Sequence, residues 1–197
     1  MSIDRVTVYA ASSQALHGDY ISAAALLGEI LAKSGHEVVF GGGGHGLMGA
    51  MADGALRAGG QVHGVMPEFL AEIEQGHPGL TSLEIVQDMR TRKEKMLERS
   101  DAVIALPGGC GTFEELFEVM TLKRLGQYLG PIILINTRGY YDELLSFLEH
   151  SVKEHFMSTT HLNMWQSVND PTDIPKALGD APSWSANALH ESAAVKA

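Results

Sequence analysis

Two hydrophobic rhythms take turns along this chain. Short, mostly apolar runs fall at Arg5–Ala10, Glu37–Phe40, Gln61–Met66, Ser82–Gln87, Asp101–Leu106 and Pro131–Asn136, and each predicts a strand. Pro67 closes the third run. Between the runs, apolar residues recur at helical spacing. Ile21, Ala24, Ala25, Leu27 and Leu31 mark a helix over Tyr20–Lys33, which Ser34-Gly35 ends. Small residues (Gly49, Ala50, Ala52, Gly54, Ala55) predict a helix over Ala50–Ala58 that approaches its neighbour closely. Further helices are predicted over Met89–Ser100, Phe113–Leu125 and Tyr140–His155, then a short strand in Leu162–Val168 and a short helix at Thr172–Leu178. Strands alternating with helices give an α/β fold with a mainly parallel sheet and helices on both faces. Residues 1–179 read as a single domain and 180–197 as a C-terminal tail rich in Ala, Ser and Pro.

In such folds ligands bind at the carboxyl ends of strands. Three stretches fall at that edge. Ser12 and Ser13 follow the first strand and can either meet a ligand or cap the next helix. Gly41 to Gly49 follows the second, with His45 as a loop residue. Pro107-Gly108-Gly109-Cys110-Gly111-Thr112-Phe113-Glu114-Glu115 follows the fifth. A strand, a glycine turn and a helix start make an anion site, because the first helical turn offers unpaired N–H groups and the positive end of the dipole. Gly108 to Thr112 would be the donors. Two carboxylates stand just behind the cradle, so a cation must compensate. Arg92 and Lys93, at the edge of the buried face of their helix, either snorkel or aim into the fold. A carboxylate beside a bound phosphate suits reaction on the attached sugar, where glycosidic cleavage develops positive charge. Thr112-x-x-Glu115 is equally a capping box, with Thr112 as N-cap and Glu115 at N3. Cys110 is a nucleophile if the helix end lowers its pKa, or a bystander.

The helix over Phe113–Leu125 has Phe113, Leu116, Phe117 and Met120 on one side. Glu115, Glu118, Val119, Leu122 and Leu125 lie on the other. Apolar residues on both sides predict a second burial partner, read as a subunit interface. The loop Glu68–Leu80 is long, broken by Gly76, Pro78 and Gly79, and acidic through Glu68, Glu72 and Glu74.

Composition narrows the partners. At 197 residues, 45% apolar and 19% charged, the chain has the composition of a globular domain with a full core. A net charge of −10 argues against a nucleic-acid surface. Cys110 is the one cysteine, so no intrachain disulfide forms, and the histidines show no metal-ligand spacing. The first apolar run is too short for a signal-peptide core or a membrane span, which leads to the expectation of a cytoplasmic protein without metal or cofactor.

Three motifs in this order carry a family resemblance. Pro107 to Glu115 fits P-G-G-x-G-T-x-x-E, Met89-Arg90-Thr91-Arg92-Lys93 fits M-x-x-R-K, and Gly41 to Gly49 fits G-G-G-x-x-G-L-M-G with four successive glycines where the family has three. Together they resemble the Lonely Guy family of cytokinin riboside 5′-monophosphate phosphoribohydrolases, over roughly Val6 to Val168. The resemblance implies a Rossmann-like three-layer sandwich, a homodimer or an assembly of dimers, and hydrolysis of a purine nucleoside 5′-monophosphate to free base and ribose 5-phosphate. It places Arg92 and Glu115 in catalysis. It places Ser12, Ser13, Gly43, Gly46, Glu74, Lys93, Gly108, Gly109, Cys110, Gly111, Thr112, Glu114 and Thr121 at the substrate. The chain departs from many members at Ala10-Ala11 and at Leu122-Lys123-Arg124, where a tryptophan is missing and two cations are added near the expected base pocket; plain AMP joins prenylated AMP as an expected substrate. A non-catalytic nucleotide-binding or carrier protein is the alternative. Lysine decarboxylase, a label such proteins often carry, has no support in a pyridoxal-binding lysine.

Overall fold

The computed structural model describes residues 3–74, 76–98 and 100–188. Seven strands form one sheet: β1 (Arg5–Tyr9), β2 (Glu37–Phe40), β3 (Val62–Pro67), β4 (Ser82–Val86), β5 (Ala102–Ala105), β6 (Ile132–Ile135) and β7 (Gln166–Val168). Their spatial order is β4-β3-β2-β1-β5-β6-β7, and every neighbouring pair is parallel. The helices are α1 (Gly18–Lys33), α2 (Gly46–Arg57), α3 (Glu68–Ala71), α4 (Met89–Leu97), α5 (Cys110–Arg124), α6 (Asp142–Lys153) and α7 (Ile174–Gly179).

Both faces of the sheet are covered, and the strand sequences show it. Ala102, Ile104 and Leu106 pack with α1, α2 and α7 in one core; Val103 and Ala105 pack with α5, α6 and Met96 of α4 in the other. A strand buried on both sides reads as a continuous apolar run, as these do. The predicted closeness of α2 to its neighbour holds. A Cβ on Gly28 would stand 2.0 Å from the Met51 carbonyl oxygen, and one on Gly54 would stand 2.0 Å from that of Ala25. Glycine at both places lets the backbones of α1 and α2 touch.

The strand order reverses at β1, whose two neighbours are β2 and β5. The connections leaving β1 and β5 therefore run to different sides, and a crevice opens beyond their carboxyl ends. The tail is partly built into the domain. Trp184 donates its ring N–H to the Lys123 carbonyl at 2.6 Å, and a Cβ on Gly126 would lie 2.3 Å from the Ala186 carbonyl oxygen. Residues 180–188 thus pack on the end of α5, and the rest of the tail lies outside the described residues.

Candidate active site

A cleft of ≈ 310 Å3 occupies the crevice. Its polar lining comes from Ser12, Ser13, Glu74, Arg92, Gly109, Gly111, Thr112 and Glu115; its apolar wall includes Val8, Tyr9, Met48, Met66, Leu70 and Met96. Five separate segments of chain meet here, and only the sheet brings them together.

The mouth is built by the start of α5. The helix begins at Cys110, with Gly109 as its N-cap, three residues before the predicted Phe113. This rules out the capping box: Thr112 is the third helical residue, only 5% exposed, and Glu115 lies a turn farther in. A Cβ on Gly108 would stand 2.1 Å from Thr112 Oγ1, so glycine there leaves room for the threonine to lean back over the loop. The Phe113 N–H bonds the Gly109 carbonyl. The amides before it have no intrahelical acceptor and carry the positive end of the dipole. Tyr140 donates to the Gly108 carbonyl and Tyr141 to that of Leu106, at 2.7 Å for the latter, which pins the loop from behind.

One turn deeper lies a buried ion pair. Arg92 Nη1 is 3.5 Å from Glu115 Oε1, with the two side chains 11% and 8% exposed. Arg92 also donates from Nε to the Val65 carbonyl at 3.2 Å, which fixes the guanidinium from β3. The ion pair is longer than the roughly 2.7–2.9 Å of a tight charge-assisted bond, so it leaves hydrogen-bonding capacity on both partners. Burial pushes the Glu115 carboxyl up to about 7; Arg92 and, more weakly, Lys93 pull it down, while Glu114 and Glu118 add to the rise. Tyr9, at the end of β1, is held well above its ordinary value by burial first and by the Glu115 charge second.

The faces of α5 differ from the sequence expectation. Thr112, Glu115, Leu116, Val119, Met120 and Lys123 form the buried face. Val119 and Glu115 therefore point inward, and Phe117, expected inside, is 38% exposed. The buried stripe is turned toward Thr112, Glu115, Val119 and Lys123 and away from Phe117, while Leu116 and Met120 belong to both descriptions. Thr112 and Glu115 share a face because they are three residues apart.

The two glycine loops, alike in sequence, have different jobs. In the first, the N–H groups of Leu47 and Met48 both bond the Ala11 carbonyl, at 2.9 and 3.2 Å. The start of α2 is thus satisfied by protein, unlike the first-turn amides of α5. Gly46 has φ +59°, and a Cβ on it would stand 2.4 Å from the Ser13 carbonyl oxygen; it seats the Ser12-Ser13 loop and does not line the cleft. Gly43 pairs with Gly76 in an antiparallel bridge, and the His77 N–H bonds the Gly42 carbonyl. These bonds draw the acidic loop inward, so that Glu74 lines the cleft while Glu68 and Glu72 stay exposed. His45 is the exposed N-cap of α2.

Several expected residues lie outside the cleft. Lys93 bonds Glu114 and stands 3.0 Å from Glu118, which ties α4 to α5 on the outer surface. Lys93 and Glu114 therefore neutralise one another instead of facing the cavity. Thr121 is exposed and returns its hydroxyl to the Phe117 carbonyl at 2.8 Å. Cys110 is exposed beside the cleft, outside its lining. The two added cations are also elsewhere. Lys123 is buried at the far end of α5, where it donates to the Gly130 carbonyl at 2.5 Å, and Arg124 is exposed. Fifteen helical residues span about 22 Å, too far for either to reach the mouth. Tyr9, Met66, Leu70 and Met96 were not singled out from the sequence. The apolar ones read as ordinary core, and only the reversal of strand order marks them as lining. Among the described residues no group of three or more His, Cys, Asp or Glu could hold a metal ion.

Comparison with known proteins gives the chain a family. Residues 48–178 match the family described as possible lysine decarboxylase. A cytokinin riboside 5′-monophosphate phosphoribohydrolase of Rhodococcoides fascians is 46% identical over 154 residues, 78% of either chain. The enzyme of the same name, LOG1, from Arabidopsis thaliana is 39% identical over 176 residues, 89% of this chain and 83% of that one. Among solved structures, the molybdenum cofactor carrier protein of Chlamydomonas reinhardtii superposes with a TM-score of 0.70 at 19% identity, covering 91% of this chain and 98% of that chain. At that identity the likeness speaks for the fold alone.

Proposed function

Because the chain belongs to the family described as possible lysine decarboxylase, among whose curated relatives are these phosphoribohydrolases, we propose that it hydrolyses the N-glycosidic bond of a purine nucleoside 5′-monophosphate. The products are the free base and ribose 5-phosphate. The observation that carries this reading is the buried Arg92–Glu115 pair, one helical turn behind the open amides of α5. The family description fits the cleft less well, since among the described residues no lysine lines it to hold a pyridoxal Schiff base.

The division of labour follows from spacing. Phosphate binds the first-turn amides of Gly109 to Thr112, the Thr112 hydroxyl and the Ser12-Ser13 loop. Glu115 is three residues on, about 4.5 Å along the axis, so it meets the next group of the ligand, the sugar. As the bond between C1′ and the base nitrogen breaks, its electron pair leaves with the base. Positive charge grows on the ribosyl ring, and the Glu115 carboxylate stabilises it. A water molecule then bonds to C1′ and gives its proton to Glu115; that proton passes through solvent to the departing base, which leaves neutral and restores the carboxylate. Arg92 holds the carboxylate and lends a charge to the phosphate. Met48, Met66, Leu70 and Met96 supply an apolar wall for the planar base, with Glu74 at its edge.

Two further features belong to this reading. The outer face of α5, with Phe117 exposed and Leu122 and Leu125 half-buried, is proposed as a homodimer contact. The lone cysteine fits a cytoplasmic protein, and no helix among the described residues is long and apolar enough to cross a membrane. Incubation with AMP and with N6-isopentenyl-AMP, with chromatographic detection of free base and ribose 5-phosphate, tests the activity. Release of both products from at least one of them is expected. Tight nucleotide binding with no base released from any purine monophosphate would make the protein a carrier.

A further inference from the structure

Gly41 directly follows β2, and its environment is unlike that of the glycines whose need is set by backbone. Gly28, Gly54 and Gly49 exclude a side chain because backbone atoms stand in the way, at 2.0 to 2.3 Å from the Cβ position. Gly42 has φ +82°. Gly41 has neither reason, since its φ lies outside the left-handed region and its nearest obstacle is Arg92 Nη2, 2.0 Å from where a Cβ would stand. The next contacts are Arg92 Cζ at 3.2 Å and Met48 Sδ at 3.3 Å. No backbone atom is among them. The arginine thus occupies the volume of the missing side chain.

The guanidinium is fixed on its other edges. Nε donates to the Val65 carbonyl, and Nη1 faces Glu115 Oε1 and, at 3.7 Å, Met89 Sδ. Nη2, over Gly41, is paired with no acceptor among the described residues, and Gly41 and Arg92 both line the cleft. We infer that Gly41 is a positioning residue for Arg92, whose guanidinium can lie flat in the cleft floor against Glu115 only while residue 41 carries no side chain. The inference rests on the proposed catalytic role of Arg92 for its effect on turnover, but its structural content is independent of that reading.

The test is a carboxyl 13C NMR titration of Glu115 in the native protein, Gly41→Ala, Arg92→Ala and the double variant. Glu115 faces Arg92 and Lys93 from α4, Glu114 and Glu118 on its own helix, and Tyr9 from β1. Of these, alanine at 41 displaces only Arg92. The expected result is that Gly41→Ala raises the Glu115 midpoint toward that of Arg92→Ala, and that adding it to Arg92→Ala changes nothing further. Turnover of a purine monophosphate should fall roughly 100-fold with little change in thermal midpoint, as for a misplaced catalytic group. If Gly41→Ala alone fails to fold, the double variant decides. A folded double variant supports the inference, because room appears only when the guanidinium is gone. An unmoved midpoint in folded Gly41→Ala, or a double variant that does not fold, overturns it. If the titration moves as expected and no purine monophosphate is hydrolysed by the native protein, the positioning stands and the proposed activity falls.

Discussion

Glu115 is a carboxylate placed where burial works against its charge. Its folded value of about 7 lies above the ordinary 4.5. The cost of ionising it is therefore absent below about pH 4.5 and fully present above about 7, and the native state loses stability as pH rises through that window. The size of the loss is about 3 kcal/mol at most. Glu115→Gln should thus raise the thermal midpoint at pH 8 and change it little at pH 4; an equal shift at both values would mean that burial of the charge is not the cost. The same titration should appear in the pH dependence of turnover. If the carboxylate is the active form, kcat/KM rises with pH along one limb centred near 7, since that ratio reports the free enzyme. A profile that falls with pH in this range would assign Glu115 as an acid instead. A functional group that destabilises its own fold is the expected trade at a working site.

At the scale of elements, α5 and the two glycine loops show what could be read from the sequence and what could not. The strands were legible because parallel strands buried on both faces are continuous apolar runs. The turn before α5 was legible as a turn because glycines there separate an apolar run from a helical pattern. The start of α5 was not, because Thr112-x-x-Glu115 fits a cap as well as it fits the interior of a helix, and the glycine N-cap at Gly109 leaves no side-chain signature. Phe117 and Val119 exchange sides because α5 carries apolar residues on both faces, and spacing alone does not say which face packs on the sheet. Arg92 and Lys93 were equivalent in sequence at the edge of the buried face; α5 separates them by offering Glu115 inward and Glu114 and Glu118 outward. The first glycine loop could not be told from the second without knowing that the Ala11 carbonyl takes its amides. Glycine is nonetheless indispensable at the α1–α2 contact. Gly54→Ala sets a Cβ 2.0 Å from the Ala25 carbonyl oxygen and should lower stability by roughly 1–3 kcal/mol, read as a shift of the urea midpoint. An unchanged midpoint would show that the two helices can part at no cost.

Across the whole molecule, strand order decides where chemistry is possible. Reversal at β1 opens a crevice, and chain segments far apart in sequence supply it with the start of α5, an ion pair and an apolar wall. The outer face of α5 backs directly onto that crevice, since Glu115 and Glu118 are neighbours on one helix. A second copy docked there would reach the rim of the site. Phe117→Asp should convert a dimer to a monomer in sedimentation equilibrium while leaving the fold intact; a native protein already monomeric at tens of micromolar would remove the proposed interface.

The most direct test of the account is base release from AMP by native protein and by Glu115→Gln, compared at nucleotide concentrations that saturate both. The account predicts turnover by the native protein and a loss of roughly 100-fold or more in the variant, with nucleotide binding retained through the start of α5. Undiminished release by Glu115→Gln would contradict it.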